Sequence, residues 1–177
     1  MLTFLVGGAR SGKSALAEQL GRAHDGPVTY IATCPRIPGD DELAGRIARH
    51  RAERSAAWAT IEEEVALAAA IRNAGEAMAI VDCLTTWVGN LLHHRWDVDR
   101  ITEASEVALV AATERNGPTV VVSNEVGLGI VPADLATREY RDVLGQINRM
   151  WAAAADRALF LVAGRALALH DPHELLA

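Results

Sequence analysis

Apolar residues along this chain gather into short continuous runs, separated by longer stretches in which they recur at helical spacing. Leu2-Thr3-Phe4-Leu5-Val6, Val28-Thr29-Tyr30-Ile31-Ala32-Thr33, Met78-Ala79-Ile80-Val81-Asp82, Thr119-Val120-Val121-Val122-Ser123 and Ala158-Leu159-Phe160-Leu161-Val162 read as strands. Trp58-Ala59-Thr60-Ile61 is a weaker candidate. The spacing predicts helices from Ser14 to Leu20, from Asp40 or Asp41 to about Arg54, and from Glu62 to Asn73. Further helices are predicted from Thr85 to His93, from Val98 to Arg115 and from Asp134 to Ala155. Continuous apolar strands alternating with helices imply an α/β fold, a mostly parallel sheet with helices on both faces. Ligands of such sheets bind beyond the carboxyl ends of the strands. Gly7 onward, Thr33, Asp82 and Asn124 occupy those ends.

Composition narrows the picture. The chain has 177 residues, of which 50% are hydrophobic. A single domain over 1–177 is expected. The net charge is −6 and Lys and Arg form no run. No nucleic acid is therefore expected as the main partner. Cys34 and Cys83 have neither metal-ligand spacing nor a disulfide framework, and read as buried reduced thiols. The first apolar run lacks a basic leader and a cleavage site, and ends in glycines, so it reads as a core strand. No apolar run approaches the length of a membrane span, and a soluble cytoplasmic protein is expected.

The first strand leads into Gly7-Gly8-Ala9-Arg10-Ser11-Gly12-Lys13-Ser14, which satisfies G-x-x-x-x-G-K-[ST]. Strand, glycine-rich turn and helix are the context that makes this pattern a phosphate site. Backbone N–H groups turn inward around the anion, and the helix dipole points at it. Lys13 would reach the β- and γ-phosphates, and the Ser14 hydroxyl would ligate Mg²⁺. Asp82, an acid closing an apolar strand, would hold the same ion, directly or through water. Capping a turn is its bland alternative.

Asn124-Glu125-Val126-Gly127-Leu128-Gly129-Ile130-Val131-Pro132 forms a defined loop. Asn124 and Glu125 either face the nucleotide or substrate, or belong to a structural turn. On the helix predicted up to Arg54, Leu43, Ile47, His50 and Arg54 share one face, with Arg46 at its border. Two guanidiniums one turn either side of an imidazole would hold phosphates and keep the ring neutral and nucleophilic. A core-edge histidine is the plainer reading. His93-His94 cannot share a helix face. His170 and His173 read as part of a solvated tail, and the four tryptophans as packing residues.

These motifs together resemble one family. They are the glycine-rich loop, Tyr30-Ile31-Ala32-Thr33, Arg46-Ile47-Ala48-Arg49-His50-Arg51, Trp58-Ala59-Thr60 and Asp82-Cys83-Leu84-Thr85-Thr86-Trp87-Val88-Gly89-Asn90-Leu91-Leu92. Ser123-Asn124-Glu125-Val126-Gly127-Leu128-Gly129-Ile130-Val131-Pro132 and Tyr140-Arg141-Asp142-Val143-Leu144-Gly145-Gln146-Ile147-Asn148 complete the set. The sequence is similar, from Leu2 to about Gly164, to the bifunctional adenosylcobinamide kinases / adenosylcobinamide-phosphate guanylyltransferases of cobalamin biosynthesis. The resemblance implies a RecA-like P-loop NTPase fold and a homotrimer. It implies phosphorylation of adenosylcobinamide by ATP or GTP, then transfer of GMP from GTP to the new phosphate through a guanylyl-histidine at His50. Lys13 would act on the triphosphate, with Arg46, Arg49, Arg51 and Arg54 neutralising phosphate oxygens and Glu62 joining the nucleotide-binding set. Ser14 and Asp82 would hold Mg²⁺. Asp82 is shorter than the Glu of some relatives, and the tail after Arg165 carries no family motif.

Two other readings use part of the same residues. A P-loop kinase with a single reaction needs the loop and Asp82 but no nucleophilic histidine. A nucleotide-driven switch ATPase needs neither a histidine nor a small-molecule acceptor.

Overall fold

The computed structural model describes residues 1–35, 39, 41, 45, 47–48, 51–52 and 54–173. Seven strands form one sheet: β1 (Leu2–Gly7), β2 (Val28–Ala32), β3 (Ala59–Glu62), β4 (Met78–Asp82), β5 (Thr119–Asn124), β6 (Arg157–Val162) and β7 (Arg165–Ala168). Their order is β3-β2-β4-β5-β1-β6-β7. Every pairing is parallel except that of β6 with β7. The helices whose bounds lie wholly within the described residues are α1 (Lys13–Arg22), α2 (Leu67–Asn73), α3 (Leu84–His93), α4 (Val98–Glu114) and α5 (Leu135–Ala154).

Alternation along the strands divides the core between the two faces. Phe4, Val6, Ala79, Val81 and Val121 pack with α2 through α5, including the buried Trp87 and Trp151. Leu5, Met78, Ile80, Val120 and Val122 pack with Ala17, Leu16 and Leu20 of α1. Buried indole N–H groups find acceptors: Trp87 donates to Val65 O at 2.8 Å and Trp151 to Ser105 Oγ at 2.9 Å.

The elements follow the hydrophobic pattern, with two departures. The stretch Glu62 to Asn73 is not one helix. Glu62 ends β3, and α2 begins only at Leu67. Glu63 Oε1 accepts from the backbone of Val65 and Ala66 at 2.9 and 2.8 Å, so a carboxylate-capped turn precedes the helix. The second departure is β7, which turns back antiparallel on β6 through Ala163 and Gly164, both at positive φ. Every residue of β7 is exposed, so no apolar alternation announces it. The helix predicted over about 41–54 falls largely outside the described residues. Within it, Asp41, Gly45, Ile47, Ala48, Arg51 and Ala52 are helical.

Register aligns the carboxyl ends. Gly7 pairs with Asn124 and Leu161, Asp82 with Ala32 and Val122, and Ala32 with Glu62. The start of the glycine-rich loop, Glu62, Asp82 and Asn124 therefore lie at one end of the sheet.

Candidate active site

The glycine-rich turn leaves β1 and enters α1 as the pattern requires. Gly12, at φ 102°, is the N-cap of α1, in a conformation that favours glycine. A side chain at Gly7 would place its Cβ 2.2 Å from the Leu161 carbonyl oxygen, so only glycine permits β1 to lie against β6 there. The loop is tied to its neighbours. Glu125 N donates to Gly7 O at 3.0 Å, and Gly164 N donates to Ser11 O at 3.0 Å. Ser11 and Lys13 are buried, Gly8 and Ser14 half-buried, and Ala9 and Arg10 exposed.

Lys13 Nζ donates to Gly8 O at 2.6 Å and to Ser11 Oγ at 3.2 Å. Burial lowers its pKa below the ordinary value, and the acidic groups of Cys83 and Asp82 pull it back up.

A cleft opens beside Asp82. Tyr30, Ala32, Cys34, Ile47, Arg51, Arg54, Glu62, Asp82, Cys83 and Thr86 line it. Asp82 Oδ2 accepts from the Tyr30 hydroxyl at 2.5 Å. Burial, and the carboxylate beside it, push the Tyr30 phenol far above its ordinary range. The Arg54 guanidinium lies over the Tyr30 ring, 3.6 Å from its centroid. Arg54 Nε and Nη1 are buried and have no hydrogen-bond partner among the described residues. At the mouth, Arg51 pairs with Glu62 at 2.6 Å, both side chains well exposed.

Behind the cleft, buried polar groups fix the strand ends. Thr33 Oγ1 accepts from Cys83 N and donates to Cys83 O, both at 2.8 Å. Asn90 Nδ2 donates to Thr33 O and to Glu64 O. Asn148 accepts from Ser123 Oγ at 2.6 Å and donates to Asn124 O at 2.9 Å, while Asn124 N donates to Thr85 Oγ1 at 2.7 Å. Asn124 is thus held by its backbone. Glu125 Oε1 accepts from Gly127 N at 2.6 Å, which makes the following loop a defined turn.

The structure therefore brings Gly7 through Ser14, Asp82, Arg51, Arg54 and Glu62 to one edge. Arg46, Arg49 and His50 lie outside the described residues. Cys34 and Cys83 form no disulfide and are half-buried in the lining of the cleft, where Cys83 also packs against the core, and burial raises the Cys83 thiol pKa. Tyr30 joins the site although the sequence does not single it out for chemistry. Its one signal is a phenol in an otherwise aliphatic buried strand, where the hydroxyl must find a partner.

Among the described residues no cluster of three or more His, Cys, Asp or Glu could by itself hold a metal. Asp82 Oδ1 accepts no hydrogen bond from the described residues.

The family described as cobinamide kinase / cobinamide phosphate guanyltransferase matches residues 3–169. The bifunctional adenosylcobalamin biosynthesis protein CobP of Pseudomonas aeruginosa is 45% identical over 166 residues, covering 93% of this chain and 94% of that protein. The bifunctional adenosylcobalamin biosynthesis protein CobU of Salmonella typhimurium is 39% identical over 179 residues, covering 93% and 97%. Among solved structures, a prototypical ATPase from the type III secretion system of pathogenic bacteria superposes with a TM-score of 0.55 at 12% identity, covering 91% of this chain and 51% of that one. That likeness shows the fold alone, a mostly parallel sheet with helices.

Proposed function

The chain belongs to the cobinamide kinase / cobinamide phosphate guanyltransferase family, and on that premise we propose how its residues divide the two reactions. It is a bifunctional enzyme of cobalamin biosynthesis with nucleotide substrates. The single-reaction kinase and the switch ATPase are set aside by that membership.

In the first reaction, the hydroxyl oxygen of adenosylcobinamide attacks the γ-phosphorus of ATP or GTP, and the bond to the β-phosphate oxygen breaks. Gly7 through Ser14 cradle the phosphates with backbone N–H groups, and Lys13 neutralises charge gathering on the β–γ bridge. Ser14 and Asp82 would hold Mg²⁺, which draws charge from the phosphate oxygens when bound. In the second reaction, a His50 ring nitrogen attacks the α-phosphorus of GTP. A P–N bond forms, the α–β bridge breaks and pyrophosphate leaves. A phosphate oxygen of adenosylcobinamide phosphate then attacks the same phosphorus, the P–N bond breaks, and adenosylcobinamide-GDP departs with the imidazole restored.

The observation that carries this division is Arg54. It is a guanidinium with two buried, unpaired nitrogens, fixed on an aromatic ring at the cleft that holds Asp82. Buried donors of that kind ask for an anion. Arg46, Arg49 and Arg51 would add charge beside the histidine, and Glu62 would steer Arg51 across the mouth. A homotrimer in the cytoplasm, with 1–177 as one catalytic domain, completes the reading. No helix among the described residues is long and apolar enough to cross a membrane.

Intact mass after incubation with GTP and Mg²⁺, without corrinoid, tests the covalent step. The expected result is a gain of one GMP in the natural protein and none in His50→Asn, whose kinase activity is largely kept. Absence of the adduct in folded protein that binds GTP would make the transfer direct and leave His50 without a nucleophilic role.

A further inference from the structure

Tyr30 is 1% exposed and sits two residues before the end of β2, facing Asp82 at the end of the neighbouring strand. It makes two contacts of different kinds. Its hydroxyl donates to Asp82 Oδ2 at 2.5 Å, and its ring carries the Arg54 guanidinium at 3.6 Å. The first contact occupies one carboxylate oxygen and fixes the carboxyl plane, which leaves Oδ1 as the oxygen open to a cation. The second holds a cation without consuming its N–H donors. Arg54 Nε and Nη1 consequently stay buried and unpaired instead of folding onto a carboxylate. An acidic partner in place of the ring would bind those same donors and neutralise the charge.

We propose that Tyr30 is a positioning residue for both reactions, presenting Asp82 Oδ1 to the metal through its hydroxyl and the Arg54 donors to the nucleotide phosphates through its ring. The inference rests on the proposed roles of Asp82 and Arg54. It adds that one side chain sets both, and that the two halves of the side chain separate them. Phenylalanine keeps the ring and removes the hydroxyl. Leucine removes both.

Calorimetric titration of GTP into the natural protein, Tyr30→Phe and Tyr30→Leu, in EDTA and across a Mg²⁺ series, reads the halves apart. Circular dichroism would confirm the fold of each. For Tyr30→Phe, GTP affinity in EDTA is expected to match the natural protein, while the Mg²⁺ concentration that half-saturates the metal-dependent gain rises roughly ten-fold, the scale of a hydrogen bond to a charged group. For Tyr30→Leu, affinity in EDTA also falls, by roughly five-fold, and to the level of Arg54→Ala. A Mg²⁺ series for Tyr30→Phe that overlays the natural one overturns the inference. So does a Tyr30→Phe loss confined to EDTA. Tyr30→Phe carries the decision if the leucine variant does not fold. Failure of the natural protein itself to bind GTP would instead overturn the functional reading on which the inference stands.

Discussion

The two sides of Asp82 carry cations held in opposite ways. On the P-loop side, Lys13 spends its donors on its own loop, at Gly8 O and Ser11 Oγ. On the β2–β3 side, Arg54 rests on a ring and keeps two nitrogens buried and unbonded. A lysine is a compact point charge on a flexible stem, so it can exchange loop oxygens for phosphate oxygens without losing its place. A planar guanidinium needs its donors aimed in advance, and the Tyr30 face supplies the aim. The P-loop side is a local device, complete within eight residues. The other side is assembled from residues on β2, β4 and the segment before β3.

The largest expected effect tests what the two sides share. Lys13→Ala is expected to lower both kinase and guanylyl-transfer rates by about 10²-fold or more, because in the proposed scheme both reactions hold a triphosphate on the same loop. Separate assays of corrinoid phosphorylation and of GMP adduct formation give the two rates. A loss confined to the kinase step would mean that the transferase reaction binds its GTP elsewhere, and the comparison would become one of two sites rather than two sides.

Arg54→Ala should divide them. Guanylyl transfer is expected to fall about ten-fold or more and phosphorylation by less. Thermal stability is expected to hold or rise, because the guanidinium makes no hydrogen bond through its buried Nε or Nη1 whose loss would be felt. A melting curve beside the two assays distinguishes this from a structural arginine, whose removal would cost stability and both activities together.

The contrast between the sides also governs what can be read from the chain itself. The P-loop is legible because its chemistry depends on contiguous residues with fixed conformations, such as Gly12 at φ 102°. The succession of β1, β2, β4, β5 and β6 along the chain is legible for a similar reason, since each of these strands carries its own apolar run. Tyr30 is not legible as a site residue. Nothing in Tyr30-Ile31-Ala32-Thr33 reveals that parallel pairing sets Ala32 against Asp82 and so brings the phenol to the carboxylate. The strand β7 escapes too, because an exposed antiparallel edge carries no hydrophobic signature. The hydrophobic pattern puts Glu62 at the start of a helix. The residue closes β3, and its carboxylate meets Arg51 at the cleft mouth.

That ion pair supplies the smallest effect and the finest division within the β2–β3 side. Arg51 and Glu62 are 48% and 41% exposed, so their attraction is screened and worth less than ~1 kcal/mol of stability. Arg51→Ala is therefore expected to leave the melting curve nearly unchanged. Its effect on GTP affinity should be about three-fold, and should shrink as salt is raised, because an exposed guanidinium acts on phosphate through the same screened field. The Arg54 effect should keep most of its size under the same salt, since its nitrogens are buried. Titrations of GTP into both variants at low and high ionic strength measure that difference. Equal salt sensitivity would mean that Arg54 meets the phosphates in solvent as Arg51 does, and the distinction between a mouth and an interior on this side of Asp82 would disappear.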